Sequence, residues 1–249
     1  MAQIILKNEI GIDVSTQSLG KLLSHAPLSN GTILVSLNNT SLPEEVQAAC
    51  IPALLIEKFA PRYTTICNCP DSTSWDCCVV ISKEWCNLQS KFPAYFTYLL
   101  GHEIGHATIC LRDISLHILC CLIHEFIFVA SHGKIHPSES PHEQLSDKFG
   151  KYVSIELHTI NTLRHEIEKI KLQKNDKERE RLEFVQYTAP SNDFSGLRER
   201  MVAFSRPYKD ELIQCWKNHI REHGENSLAS LIVNYDALFE PKKETDLFF

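Results

Sequence analysis

The chain has 249 residues, 43% hydrophobic and 22% charged, which excludes a disordered, collagenous or bare coiled-coil protein and is long enough to bury a real core. The net charge is −6 with no broad basic stretch, which argues against a nucleic-acid reader or a polybasic membrane binder. The N-terminus has neither a basic segment nor an apolar run of secretory length, so the ten cysteines are expected as reduced thiols in a cytoplasmic compartment.

In chain order, Thr32 to Leu37 reads as a short apolar strand entered through Asn30-Gly31. Ser41, Pro43 and Glu44 then suit the start of a helix running to about Phe59, interrupted at Pro52 and stopped by Pro61. Cys77 to Ser82 is a second strand. Cys67, Cys69, Cys77, Cys78 and Cys86 crowd together there without the paired C-x₂-C knuckles of a zinc ribbon, so buried thiols are the better reading. Phe92 to about Leu111 is predicted helical, with Leu100, Ile104, Ala107 and Leu111 on a core face and His102 and His106 opposite.

Ile114 to Ala130 is an apolar stretch of 17 residues, read as a buried or re-entrant helix; membrane contact is not favoured, because a span needs about 20 residues. Ser140 and Pro141 can open the next helix, whose apolar residues from Leu145 to Ile170 predict one long amphipathic element with a solvated tail, Lys171 to Arg181. Further helices follow through Leu238. The expected fold class is α+β, mostly helical with a small N-terminal sheet. It is one domain over 1–249, made of an N-terminal α/β part (1–91), a central part with the site helices (92–175) and a C-terminal helical part (195–249).

The chemistry concentrates in Gly101-His102-Glu103-Ile104-Gly105-His106. Residues i and i+4 share a helix face, so both imidazoles can meet one zinc ion, while Glu103, rotated by about 100°, can reach a water without ligating. Two mid-helix glycines each cost roughly 1 kcal/mol against Ala, which makes sense if something approaches the helix closely. A catalytic zinc needs a third protein ligand. Glu143 is the candidate, with His142 or His136 as replacements. Asp147, one turn on from Glu143, can accept the second N–H of a ligand histidine and fix its tautomer. A capping box between Ser140 and Glu143 competes for the same carboxylate.

His-Glu-Ile-Gly-His on a helix, an apolar helix after it and then Glu143-x-x-x-Asp147-x-Phe149-Gly150 resemble the gluzincin metallopeptidases, most of all the HtpX and CAAX-prenyl-protease group. Ser146 stands where that group carries Ala. The stretch Phe204 to Ile213 is similar to the group's C-terminal motif, with Arg206 in place of a His and Leu212 in place of an Arg. The resemblance implies a zincin-like fold and one catalytic Zn²⁺ on His102, His106 and Glu143. Glu103 is then the general base, with Arg206 and Tyr208 as candidate oxyanion donors. It also implies a protein or peptide substrate, laid as an extended strand along an edge near Val79 to Ser82.

The function expected is a zinc-dependent endopeptidase. The alternatives are a zinc-stabilised regulator without catalysis, and a bacterial effector protease translocated into a host cell, suggested by the charged tail Glu240 to Asp246 ahead of Leu247-Phe248-Phe249. The pairs His158 and His165, and His219 and His223, are read as solvated; His117 and His124 are read as core histidines.

Overall fold

Apolar strand runs bury their backbone only by pairing, and the predicted strands do so in one sheet. A computed structural model describes residues 3–8, 31–39, 48–59, 75–172 and 174–240. Its four strands, β1 (Gln3–Asn8), β2 (Thr32–Asn39), β3 (Ala48–Pro52) and β4 (Cys77–Ser82), lie in the order β1-β2-β4-β3. β1, β2 and β4 are parallel, with Ile33 opposite Cys77; β3 runs antiparallel to β4, with Cys50 opposite Val79. Ile33 to Leu37 and Cys77 to Ile81 are buried without interruption, as interior strands covered on both faces should be.

Two expectations fail here. The helix foreseen up to Phe59 is a strand over Ala48–Pro52 followed by α1 (Ala53–Phe59). Pro52 cannot sit inside a helix, and β3 satisfies backbone groups that β4 would otherwise leave unpaired. The proposed start at Ser41 and the stop at Pro61 lie outside the described residues. In consequence β4 is an interior strand flanked by β2 and β3, so Val79 to Ser82 offers no edge to a peptide.

The chain divides into two compact units, residues 1–112 with 145–193 and residues 113–144 with 194–249. The first holds the sheet, α2 (Lys83–Cys86) and α3 (Pro93–Arg112). Ser82 caps α2 by accepting from the Trp85 amide at 3.3 Å. α3 packs on β3 and β4 on one side. From Ala94 to Cys110 every residue but Thr97 is buried, so the expected division into an inner and an outer face does not hold. The far side is covered by the helices that follow. These are α5 (Pro141–Leu157), which enters this unit at Leu145, α6 (Ile160–Lys171) and α7 (Asp176–Tyr187).

The single long helix expected up to Ile170 is broken after Leu157. Thr159 caps α6 by accepting from the Thr162 amide at 3.1 Å. The break carries Glu166 back to the start of α3, where its carboxylate accepts from the Tyr95 amide at 2.8 Å and satisfies a first-turn donor. Lys171 to Arg181 is solvated as expected, its described side chains all exposed or half-buried, and α7 begins within it. Tyr95, Tyr98, Leu163, Ile167, Leu182 and Val185 share one core. Buried Lys151 of α5 closes the far end of α7 by donating to the carbonyls of Gln186 (2.9 Å) and Thr188 (2.6 Å).

In the second unit α4 (Ile114–Ala130) has the predicted bounds. Asp113 caps it, accepting from the Leu116 amide at 3.0 Å and pairing with Arg198 at 3.0 Å. The apolar face of α4 packs on α8 (Leu197–Ser205) and α9 (Lys209–His223). Fully buried Trp216 of α9 donates to the Leu122 carbonyl at 3.4 Å. Among the described residues no helix is long and apolar enough to cross a membrane. The architecture is α+β, mostly helical with a small N-terminal sheet.

Candidate metal centre

The two glycines of the motif are accounted for by α5. A Cβ on Gly101 would stand 3.0 Å from the Gly150 Cα, and one on Gly105 would stand 3.1 Å from the Ser146 Cα. A Cβ on Gly150 would come within 2.5 Å of the Tyr98 carbonyl oxygen and 2.9 Å of the His102 nitrogen. Small residues on both helices thus let two backbones meet side by side, and Ser146 fits where a larger side chain would clash. This contact places the α5 residues Ser146 and Asp147 against the α3 histidines.

His102 and His106 are buried, and their Nε2 atoms stand 3.0 Å apart. Two nitrogens about 2.05 Å from one ion at a tetrahedral angle would be about 3.3 Å apart, so the pair is close to ligand spacing. The outer nitrogens are each engaged. His102 Nδ1 lies 2.8 Å from Asp147 Oδ1, and His106 Nδ1 lies 3.3 Å from Ser146 Oγ.

Asp147 collects further donors. Tyr98 O–H donates to Oδ1 at 2.5 Å, and Arg181 reaches the same oxygen at 2.9 Å and Oδ2 at 3.3 Å. Burial pushes the Asp147 carboxyl up, but Arg181 and then His102 more than reverse this and hold it well below the usual carboxylate range. Burial, reinforced by Asp147, raises the Tyr98 phenol well above its ordinary value, so it stays a donor. An ionised carboxylate can only accept, so it holds the His102 proton on Nδ1 and turns the Nε2 lone pair inward. Arg181 also approaches His102 Nε2 to 3.4 Å, and His106 Nε2 stands 3.0 Å from that nitrogen, where either the His106 proton or a metal cation can lie between the two rings. The site fits an ion on this ground.

Glu103 is buried on α3 beside this pair. Glu143 is in the first turn of α5. The boundary between the units falls after Gln144, but the helix is continuous from Pro141 to Leu157 and carries Glu143 one turn ahead of Asp147 on the same face. Arg206 and Tyr208 form a 3₁₀ turn of the second unit, between α8 and α9, where exposed Arg206 donates to the Phe239 carbonyl at 3.2 Å. His136 caps the turn Pro137–Glu139. His142 pairs with Ser140 Oγ at 3.0 Å and with Glu143 Oε1 at 3.3 Å.

The sequence reading missed Arg181 and Tyr98. Tyr98 lies four residues before His102 and was within reach of a helix-face argument; Arg181 is 34 residues from Asp147, and no spacing announces it. Of the crowded cysteines, Cys77, Cys78 and Cys86 are buried and Cys67 and Cys69 lie outside the described residues. No cysteine joins a group of metal-ligating side chains among the described residues. The Cys77 thiol and burial push the Cys110 thiol up, and burial does the same for Cys120, so both remain neutral. Compared with protein-family models, with curated proteins and with solved structures, the chain matches none significantly.

Proposed function

We propose that the protein is a zinc-dependent endopeptidase of zincin type, with His102, His106 and Glu143 as the metal ligands. The observation that carries this reading is the pair of buried Nε2 atoms 3.0 Å apart, one of them oriented by an ionised carboxylate at its far nitrogen. Glu143 is the third ligand in this reading: it stands one turn ahead of Asp147 on the same face of α5. Two imidazoles and one carboxylate are a donor set suited to zinc with an open fourth position.

A bound zinc ion would supply Lewis acidity toward water and toward a peptide carbonyl. The chain's own residues do the rest. Glu103 takes a proton from the attacking water and returns it to the leaving amine. Asp147 keeps His102 in the tautomer that presents Nε2, while Arg181 and Tyr98 keep Asp147 ionised and in place. Burial of the site strengthens each of these charge interactions over its value in water.

The test is the zinc content of purified protein together with turnover of an unstructured polypeptide. About one tightly held zinc per chain is expected. Glu103→Gln should retain it and lose hydrolysis by about 10²–10⁴-fold. A chain that retains no zinc after metal-replete preparation, or hydrolysis unaltered by Glu103→Gln, would reject the proposal.

A further inference from the structure

The second unit brings together three side chains that no part of the proposed mechanism uses as a set. His124 of α4 faces His142 and Glu143 in the first turn of α5; their ring centroids are 5.7 Å apart and nearly perpendicular. Glu143 Oε1 lies 3.4 Å from His124 Nδ1 and 3.3 Å from His142 Nε2, and the three ligand atoms all fall within 4.8 Å of one another. Ligands about 2.0–2.1 Å from a tetrahedral ion are about 3.3 Å apart, so both measured spacings are those of a shared ion.

Two further observations point the same way. His124 Nδ1 is a buried atom without a hydrogen-bond partner, although Glu143 is close by; the approach has the distance of ligands but not the alignment of a hydrogen bond. Ser140 Oγ lies 3.0 Å from His142 Nδ1, which allows that nitrogen to carry the proton and leaves Nε2 open toward Glu143. The His124 side chain is 44% exposed, so its ring forms the solvent-facing rim of the site although Nδ1 itself is buried. His124 is therefore not the core histidine the sequence suggested.

We infer that His124, His142 and Glu143 form a second binding site for a divalent transition metal. Two imidazoles and a carboxylate favour zinc, cobalt or nickel over magnesium or calcium. Glu143 has two carboxylate oxygens, so one side chain can serve this site and the proposed catalytic one. The exposed ligand makes the second ion the more easily lost.

The experiment is equilibrium titration of the full, chelator-stripped chain with zinc and with cobalt, the latter read by its visible absorption. It is run on the wild type, His124→Ala, His142→Ala and His106→Ala. The wild type is expected to take two ions with different affinities. His124→Ala and His142→Ala should each weaken one of them by more than the roughly 10–100-fold that loss of an outer hydrogen-bond partner costs. His106→Ala should spare that ion. Because His124 is partly exposed, its variant is expected to fold, and far-ultraviolet circular dichroism checks this. Binding of the same number of ions with unchanged affinities in His124→Ala and His142→Ala would overturn the second site. If instead His106→Ala changes nothing while His124→Ala removes an ion, the second site stands and the peptidase reading falls.

Discussion

The molecule carries two pairs of histidines at the same i, i+4 helical spacing, and only one looks like chemistry. On α3 the His102 and His106 rings lie 4.6 Å apart, and on α9 the His219 and His223 rings lie 4.3 Å apart. Helix geometry alone therefore delivers two adjacent imidazoles in both places. The surroundings differ. His102 and His106 are buried, with a carboxylate and a hydroxyl at their outer nitrogens. His219 Nδ1 is taken by Ser227 Oγ at 2.7 Å, Glu125 stands off at 3.9 Å, and the His223 side chain is 52% exposed beside Glu222. Spacing makes a pair, while burial and outer partners decide what each nitrogen can do.

The comparison breaks most sharply on metal affinity. His102→Ala or His106→Ala should weaken the tightest zinc site by more than about 100-fold, as loss of a direct ligand exceeds loss of an outer partner. The same change at His219 or His223 should leave zinc binding within about twofold. Titration with a chromophoric chelator reads both, and equal losses at the two pairs would dissolve the distinction.

Arg181→Met should cost about 2–3 kcal/mol in denaturant unfolding at pH 7, somewhat below the roughly 3–5 kcal/mol of a fully buried pair because Arg181 is 30% exposed. The pH dependence has a definite sign. Asp147 is depressed in the folded state, so its stabilisation is complete above its ordinary value of about 3.9 and is lost as pH falls through the lower folded value. In the variant an unpaired buried carboxyl protonates more readily. The gap between variant and wild type should therefore narrow on acidification from pH 7 toward 4; a gap that widens would show that Arg181 acts through something other than Asp147.

Gly150→Ala probes the crossing that seats Asp147. With a Cβ 2.5 Å from the Tyr98 carbonyl oxygen, backbone must shift, and about 1–3 kcal/mol should be lost. Zinc affinity should fall with it, since the same crossing positions the outer partners of both histidines. Stability lost at unchanged zinc affinity would separate the helix crossing from the site. The smallest effect is expected at His223→Ala, within about 0.5 kcal/mol of wild type, because the side chain is exposed on a solvated helix end.

Much of the local structure was legible. Ile114 to Ala130 has a cap residue ahead of it and continuous apolar content, and its bounds were read correctly. Cys77 to Ser82, a run of buried β-type residues bounded by polar ones, was read as a strand. The errors came where a pattern of one period continued through a change of structure. Apolar residues from Leu145 to Ile170 keep helical spacing across the turn at His158 and Thr159, so the pattern could not show the break. Residues 48–52 hold small and apolar side chains that suit a helix as well as a strand, and the unpaired side of β4 decided between them.

The amino-acid sequence determines that two imidazoles share a face of α3, that Glu143 and Asp147 share a face of α5, and that glycines leave room on both helices, because these follow from 3.6 residues per turn and from side-chain volume. It could not determine which carboxylate meets which histidine. Asp147 reaches His102 from 45 residues away and Arg181 reaches Asp147 from 34, and both distances were closed only by packing α5 on α3 and α7 beside them. Nor could it show that α3 is covered on all sides: an apolar stripe reports one buried face, and the second face is buried by other helices whose arrival no local pattern encodes.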